Sequence, residues 1–109
     1  SSRASVLRDG KRVSVPATAL VPGDVVLIEP GDRVPADLRL IRTKGLQIQE
    51  AALTGESVAV NKDTAPAPPE ADLGDRTSMA YSGTLVTFGQ GTGIVAATGA
   101  RRHGGQAGR

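Results

Sequence analysis

The chain has 109 residues, which is one domain by size and enough to bury roughly two-thirds of its unfolded surface. It has no cysteine, which excludes a disulfide framework and a thiolate metal site, and its single Tyr and single Phe leave the core to aliphatic side chains. The formal charge of +2, from 13 basic and 11 acidic residues, is too small for a nucleic-acid surface, and aromatic stacking platforms are missing.

No stretch approaches the roughly 20 apolar residues of a membrane span. The start, Ser1-Ser2-Arg3-Ala4-Ser5, lacks the apolar core of a signal peptide. The expectation is a soluble piece, compatible with belonging to something larger.

Taken in order, the chain reads as short strands between turns. Val6-Leu7-Arg8 and Lys11-Arg12-Val13-Ser14-Val15 flank Asp9-Gly10, a pair that favours a two-residue hairpin turn. Pro16 ends the second strand because it has no N–H to donate. Pro22-Gly23-Asp24 and Pro30-Gly31-Asp32 are turn signals around Val25-Val26-Leu27-Ile28, an apolar run expected to be buried on both faces. Asp37-Leu38-Arg39-Leu40 and Leu46-Gln47-Ile48-Gln49 alternate polar and apolar as half-buried strands do, with Lys44-Gly45 leading into the second. Val58-Ala59-Val60 is the next expected strand. Residues 63–76, "DTAPAPPEADLGDR", carry three prolines and few large apolar groups, so an exposed loop is expected. Met79-Ala80-Tyr81, residues 84–88 and Ile94-Val95-Ala96-Ala97 complete the strands, with Gly89-Gln90-Gly91-Thr92-Gly93 read as a flexible turn. About eight strands and no long helix predict an all-β sandwich, jelly roll or small barrel. The β body spans about residues 6–99 of a single domain, and residues 100–109 are expected to form either a flexible tail or a non-native end.

Several motifs have a plain structural reading. The glycine-rich segment at 89–93 precedes a strand and lacks a lysine, whereas a phosphate cradle opens a helix. His103 has no second ligand nearby in sequence. Asp24, Asp32 and Asp37 could be a carboxylate cluster. Two of them follow Pro-Gly, however, where an aspartate commonly bonds the turn backbone. One string stands apart: Ala52-Leu53-Thr54-Gly55-Glu56-Ser57, a glycine and a carboxylate between two hydroxyl residues. By itself it is either an ordinary turn or a loop that carries a reactive glutamate.

Three blocks in order, "LVPGDVVLIEPGDRVPADLRLI", "LQIQEAALTGESVAVNK" and "MAYSGTLVTFGQGTGIVAATG", resemble the actuator domain of P-type ATPases, ion pumps that form an aspartyl-phosphate intermediate. The style is most similar to the calcium and sodium/potassium branch and less so to the heavy-metal branch. The resemblance implies a distorted jelly roll, inserted between transmembrane helices on the cytoplasmic face of a membrane. It implies that Thr54, Gly55, Glu56 and Ser57 form the family's Thr-Gly-Glu-Ser loop, which promotes hydrolysis of the aspartyl phosphate. ATP and Mg²⁺ then bind other domains of the pump, the phosphorylation and nucleotide-binding domains, and this domain holds no cofactor or metal of its own. The Asp-Lys-Thr-Gly-Thr motif that accepts phosphate is absent from this chain, so the isolated domain is expected to be an inactive monomer.

The implied chemistry suits these residue types. A carboxylate at Glu56 can orient the attacking water and take its proton. Gly55 lets the backbone approach a crowded phosphate. The Thr54 and Ser57 hydroxyls can hold the loop or donate to the site. An anionic glutamate repels phosphate unless Mg²⁺ and basic groups on the partner domain offset it, so delivery by domain rotation has a physical logic. The chain departs from the family pattern at Ala59, where proline is usual, and at Gln49-Glu50-Ala51, in place of Asp-Glu-Ser. The alternative from a different class is a stand-alone β-barrel binding module in which residues 54–57 are only a turn.

Overall fold

The computed structural model describes residues 3–72 and 75–96. Local chemistry sets the first hairpin. β1 (Arg3–Arg8) pairs antiparallel with β2 (Lys11–Pro16) across Asp9 and Gly10, whose φ angles of 54° and 74° are both positive, as a tight primed turn demands. A 3₁₀ turn (Ala17–Ala19) follows Pro16. Then come β3 (Val25–Ile28), β4 (Leu38–Gln49), the short helix α1 (Ala51–Thr54), β5 (Ala59–Asn61), β6 (Met79–Ala80) and β7 (Leu85–Val95).

The strands join in one antiparallel sheet ordered β2-β1-β3-β7-β4-β5, with β6 also paired to β4. The result is the all-β, jelly-roll-like body expected. Val6, Val26, Ile28, Leu38, Leu40, Leu46, Ile48, Val86 and Val95 converge in a single aliphatic core. Burying each such side chain contributes about 1.5–3 kcal/mol. Phe88 stays outside, 61% exposed, which leaves Tyr81 as the one buried aromatic among the described residues.

Two long strands replace four expected short ones. β4 runs unbroken through Lys44 and Gly45, and β7 runs unbroken through residues 89–93. The supposed flexible turn is therefore a strand. Its glycines mark close approach of backbones rather than a chain reversal: Gly91 and Gly93 are buried against β4. Register shifts along the β4–β7 ladder at Leu40/Arg42, Lys44/Gln47 and Gln47/Ile48 are bulges, which absorb the irregularity that the sequence suggested was a break.

Smaller differences follow the same logic. Val26 and Ile28 are buried but Val25 and Leu27 only half-buried, because β3 shows one face to the core. The strand expected at 58–60 begins one residue later, with Val58 78% exposed. Tyr81 is buried but lies past the end of β6. Residues 63–72 are mostly exposed, as expected for that loop. The expectations for Ala97, His103 and the tail at 100–109 lie outside the described residues.

Candidate functional site

The aspartates divide as turn chemistry dictates. The Val21 N–H donates to Asp24 Oδ2 at 3.0 Å, and the Glu29 N–H donates to Asp32 Oδ2 at 3.0 Å. Buried Asp37 accepts at Oδ1 from the Ser82 N–H at 2.9 Å. All three carboxylates serve the backbone, and no described group of three or more His, Cys, Asp or Glu residues is arranged to hold a metal ion.

The 54–57 segment is built differently. It tips the hairpin between β4 and β5, whose base is closed by Gln49 opposite Ala59 and Ile48 opposite Val60. After Gln49 the chain makes one helical turn, α1. The Glu50 carbonyl accepts from Leu53 N at 2.8 Å and from Thr54 N at 3.0 Å, and the Ala51 carbonyl accepts from Gly55 N at 2.9 Å. The Gln49 side-chain oxygen takes the Ala51 N–H at 3.0 Å, satisfying a donor with no partner inside the helix. Ala51, Ala52 and Leu53 are strong helix formers, and Gly55 stops the turn in the left-handed region at φ 78°. The helical turn was not anticipated from the sequence: one turn is too short to show periodicity, although a helix-forming run before glycine is its local signature.

Thr54 joins the two halves of the segment. Its hydroxyl donates to the Glu50 carbonyl at 3.2 Å and accepts from the Glu56 N–H at 3.2 Å. This fixes the backbone of Glu56 relative to the helical turn. The Glu56 carboxylate and the Ser57 hydroxyl have no hydrogen bond or ion pair among the described residues, and residues 52–58 are all exposed. The structure thus places Thr54, Gly55, Glu56 and Ser57 at an exposed tip. A surface hollow of about 470 Å³ is lined by Pro30, Lys44, Gly45, Phe88, Gly89 and Gln90, none of them in this loop.

Directly beneath the loop lies a feature the sequence reading missed. Glu50 Oε2 is 2.5 Å from Lys62 Nζ, and the two side chains are 1% and 0% exposed. Lys62 Nζ also donates to the Arg76 carbonyl at 3.4 Å and stands 5.7 Å from the centre of the Tyr81 ring. The signal available was parity. Glu50 continues the inward positions Leu46 and Ile48 of β4, so a charge was due on the core side.

Comparison with known proteins places this arrangement. The family model for the P-type ATPase actuator domain matches residues 1–109. A Mycobacterium tuberculosis protein named "Probable cation-transporting ATPase F" is 54% identical over 99 residues, covering 91% of this chain and 11% of that protein. A cation-transporting ATPase of Synechocystis is 52% identical over 98 residues, covering 90% and 11%. A calcium-transporting ATPase of Listeria monocytogenes is 50% identical over 95 residues, covering 87% and 11%. A crystal structure of a zinc-transporting PIB-type ATPase superposes with a TM-score of 0.70 at 28% identity, over 91% of this chain and 14% of that one. The chain thus spans about a tenth of the length of the curated relatives it matches. These matches displace the stand-alone binding module: the chain belongs to the P-type ATPase actuator-domain family.

Proposed function

We propose that this chain works as the actuator domain of a cation-transporting P-type ATPase, on the cytoplasmic side of a membrane, and that its 54–57 loop drives hydrolysis of an aspartyl phosphate held on another domain of the same pump. The observation that carries the proposal is the Glu56 carboxylate, which stands exposed, with no partner among the described residues, on a loop whose backbone is pinned by Thr54.

In this reading Glu56 reaches the phosphoenzyme only when the domain swings in. Its carboxylate orients a water in line with the breaking P–O bond and takes the proton as the oxygen attacks. Proton transfer to a positioned base typically contributes 10²–10⁴-fold. Gly55 carries no side chain to keep the backbone off the phosphate, and the Ser57 hydroxyl is free to donate to it. Thr54 serves geometry, holding the Glu56 N–H. ATP and Mg²⁺ belong to the other domains, where Mg²⁺ would neutralise phosphate charge; the residues of this chain supply the base and the loop that delivers it. Rotation of the domain couples hydrolysis to ion movement, because water attack waits until the loop arrives. The domain without the rest of the pump would be inactive.

The test is turnover of the full-length pump. Glu56→Gln should abolish most ion-stimulated ATPase activity while the protein inserts and folds normally. Wild-type turnover in that variant would end the proposal.

A further inference from the structure

We infer that the buried Glu50–Lys62 ion pair is the positioning device that fixes the direction of the 54–57 loop. The inference rests on the catalytic reading of that loop and adds residues the reading does not use. The pair sits at the pivot. The Glu50 side chain points inward, while its carbonyl accepts three donors from the loop side: Leu53 N at 2.8 Å, Thr54 N at 3.0 Å and Thr54 Oγ1 at 3.2 Å. The residue that holds the carboxylate is thus the residue on which the helical turn is wound, and Thr54 passes that constraint on to Glu56.

Lys62 supplies the other end. It follows β5, the returning leg of the hairpin, and its N–H donates to the Leu46 carbonyl at 2.8 Å. Its ammonium meets Glu50, the Arg76 carbonyl and the face of Tyr81. One buried group therefore ties both legs of the hairpin to the segment from Arg76 to Tyr81.

Stability alone is a poor account of this pair. Desolvating two charges offsets most of their attraction, and apolar replacements of buried ion pairs are often neutral or stabilising. Here the carboxylate is incompletely satisfied as well, because Glu50 Oε1 is buried and accepts no hydrogen bond from the described residues. What the pair provides is direction: a buried carboxylate and ammonium in contact hold each other in one geometry. A loop that must deliver a carboxylate to a phosphorus on another domain needs that stiffness, since a misplacement of about 1 Å can cost about a hundredfold in rate.

The test uses the full-length pump and three variants in one assay: the double variant Glu50→Gln with Lys62→Met, Glu50→Asp, and Glu56→Gln as reference. The double variant removes both charges and leaves none buried alone. Glu50→Asp keeps both charges but shortens the reach, which preserves folding should the double variant fail to fold. The expected result in both pair variants is phosphoenzyme formation from ATP at the wild-type rate, with decay slowed about 10- to 100-fold. A merely structural role would lower the yield of folded pump and leave decay unchanged. Decay at the wild-type rate in either folded pair variant, or formation slowed as much as decay, overturns the inference. If Glu56→Gln is slow while the pair variants decay normally, this inference alone fails; if Glu56→Gln also decays normally, the loop reading fails with it.

Discussion

Gly93 of β7 lies so close to Leu38 of β4 that a Cβ at position 93 would stand 2.8 Å from the Leu38 Cβ and 3.2 Å from the Arg39 carbonyl oxygen. Both obstacles belong to the strand that β7 pairs with, so neither can swing aside. Alanine would gain about 0.4–1 kcal/mol from a stiffer unfolded chain. Overpacking costs about 1–3 kcal/mol and wins. Gly93→Ala should therefore lower the stability of the chain by about 1–2 kcal/mol, read as an earlier midpoint in urea with an unchanged slope. An unchanged or later midpoint would show that the two strands have room to part.

Asp24 gives a pH signature. The Val21 N–H holds its carboxyl below the usual carboxylate range; burial opposes this, and Arg8 Nη2 at 3.1 Å adds to the lowering. A folded value below the unfolded one means a contribution present above about pH 4 and lost as the pH falls through the folded value. Asp24→Asn removes the charge. The stability gap between wild type and this variant should be widest near neutral pH and should close as the pH drops below about 4. A gap that widens on acidification would contradict the assignment.

The chain by itself should bind no nucleotide. It lacks the phosphate-accepting aspartate motif, and its glycine-rich segment lies in a strand whose residues Gly91, Thr92 and Gly93 pair with β3 on one side and β4 on the other. Titration calorimetry with ATP and Mg²⁺ should show no saturable heat. Micromolar binding would mean a site that the fold does not reveal.

The loop between β5 and β6 should be the first internal segment cut by a non-specific protease. Residues 63–72 are mostly exposed, and among the described residues the loop's hydrogen bonds to the rest of the chain gather near its base, from the Asp63 N–H to the Thr77 carbonyl at 3.0 Å and from Thr77 Oγ1 to Asp63 Oδ1 at 2.9 Å, with Arg76 Nη2 reaching the Pro69 carbonyl at 2.9 Å. Early cleavage within Val25–Ile28, in the middle of the sheet, would contradict the strand order.

What could be read from the sequence was local. Asp9-Gly10 and the two Pro-Gly-Asp turns carry their geometry in their own side chains, and the structure forms them as expected. The glycines at 89–93 misled for the same reason: local preference says turn, and only the partner strand says close approach. Neither strand's sequence contains the other's position. The loop at 54–57 was legible because its residues form a motif in order, and a motif needs no contacts to be seen. Its support was not. Glu50 and Lys62 lie twelve positions apart on opposite legs of a hairpin, and only folding shows that they meet.

Single-turnover decay of the phosphoenzyme tests the central claim most directly. The full-length pump and its Glu56→Gln variant are labelled with radioactive ATP, chased with unlabelled ATP, and sampled in acid. Glutamine keeps the shape of the side chain, and a change at this exposed position should cost little stability. It can still hold a water but cannot accept the proton. The account predicts labelling at the wild-type rate and decay slowed by about 10²–10⁴, a barrier higher by roughly 3–5 kcal/mol, so that phosphoenzyme accumulates. Equal decay in the two proteins would remove Glu56 from the chemistry and leave residues 54–57 a turn.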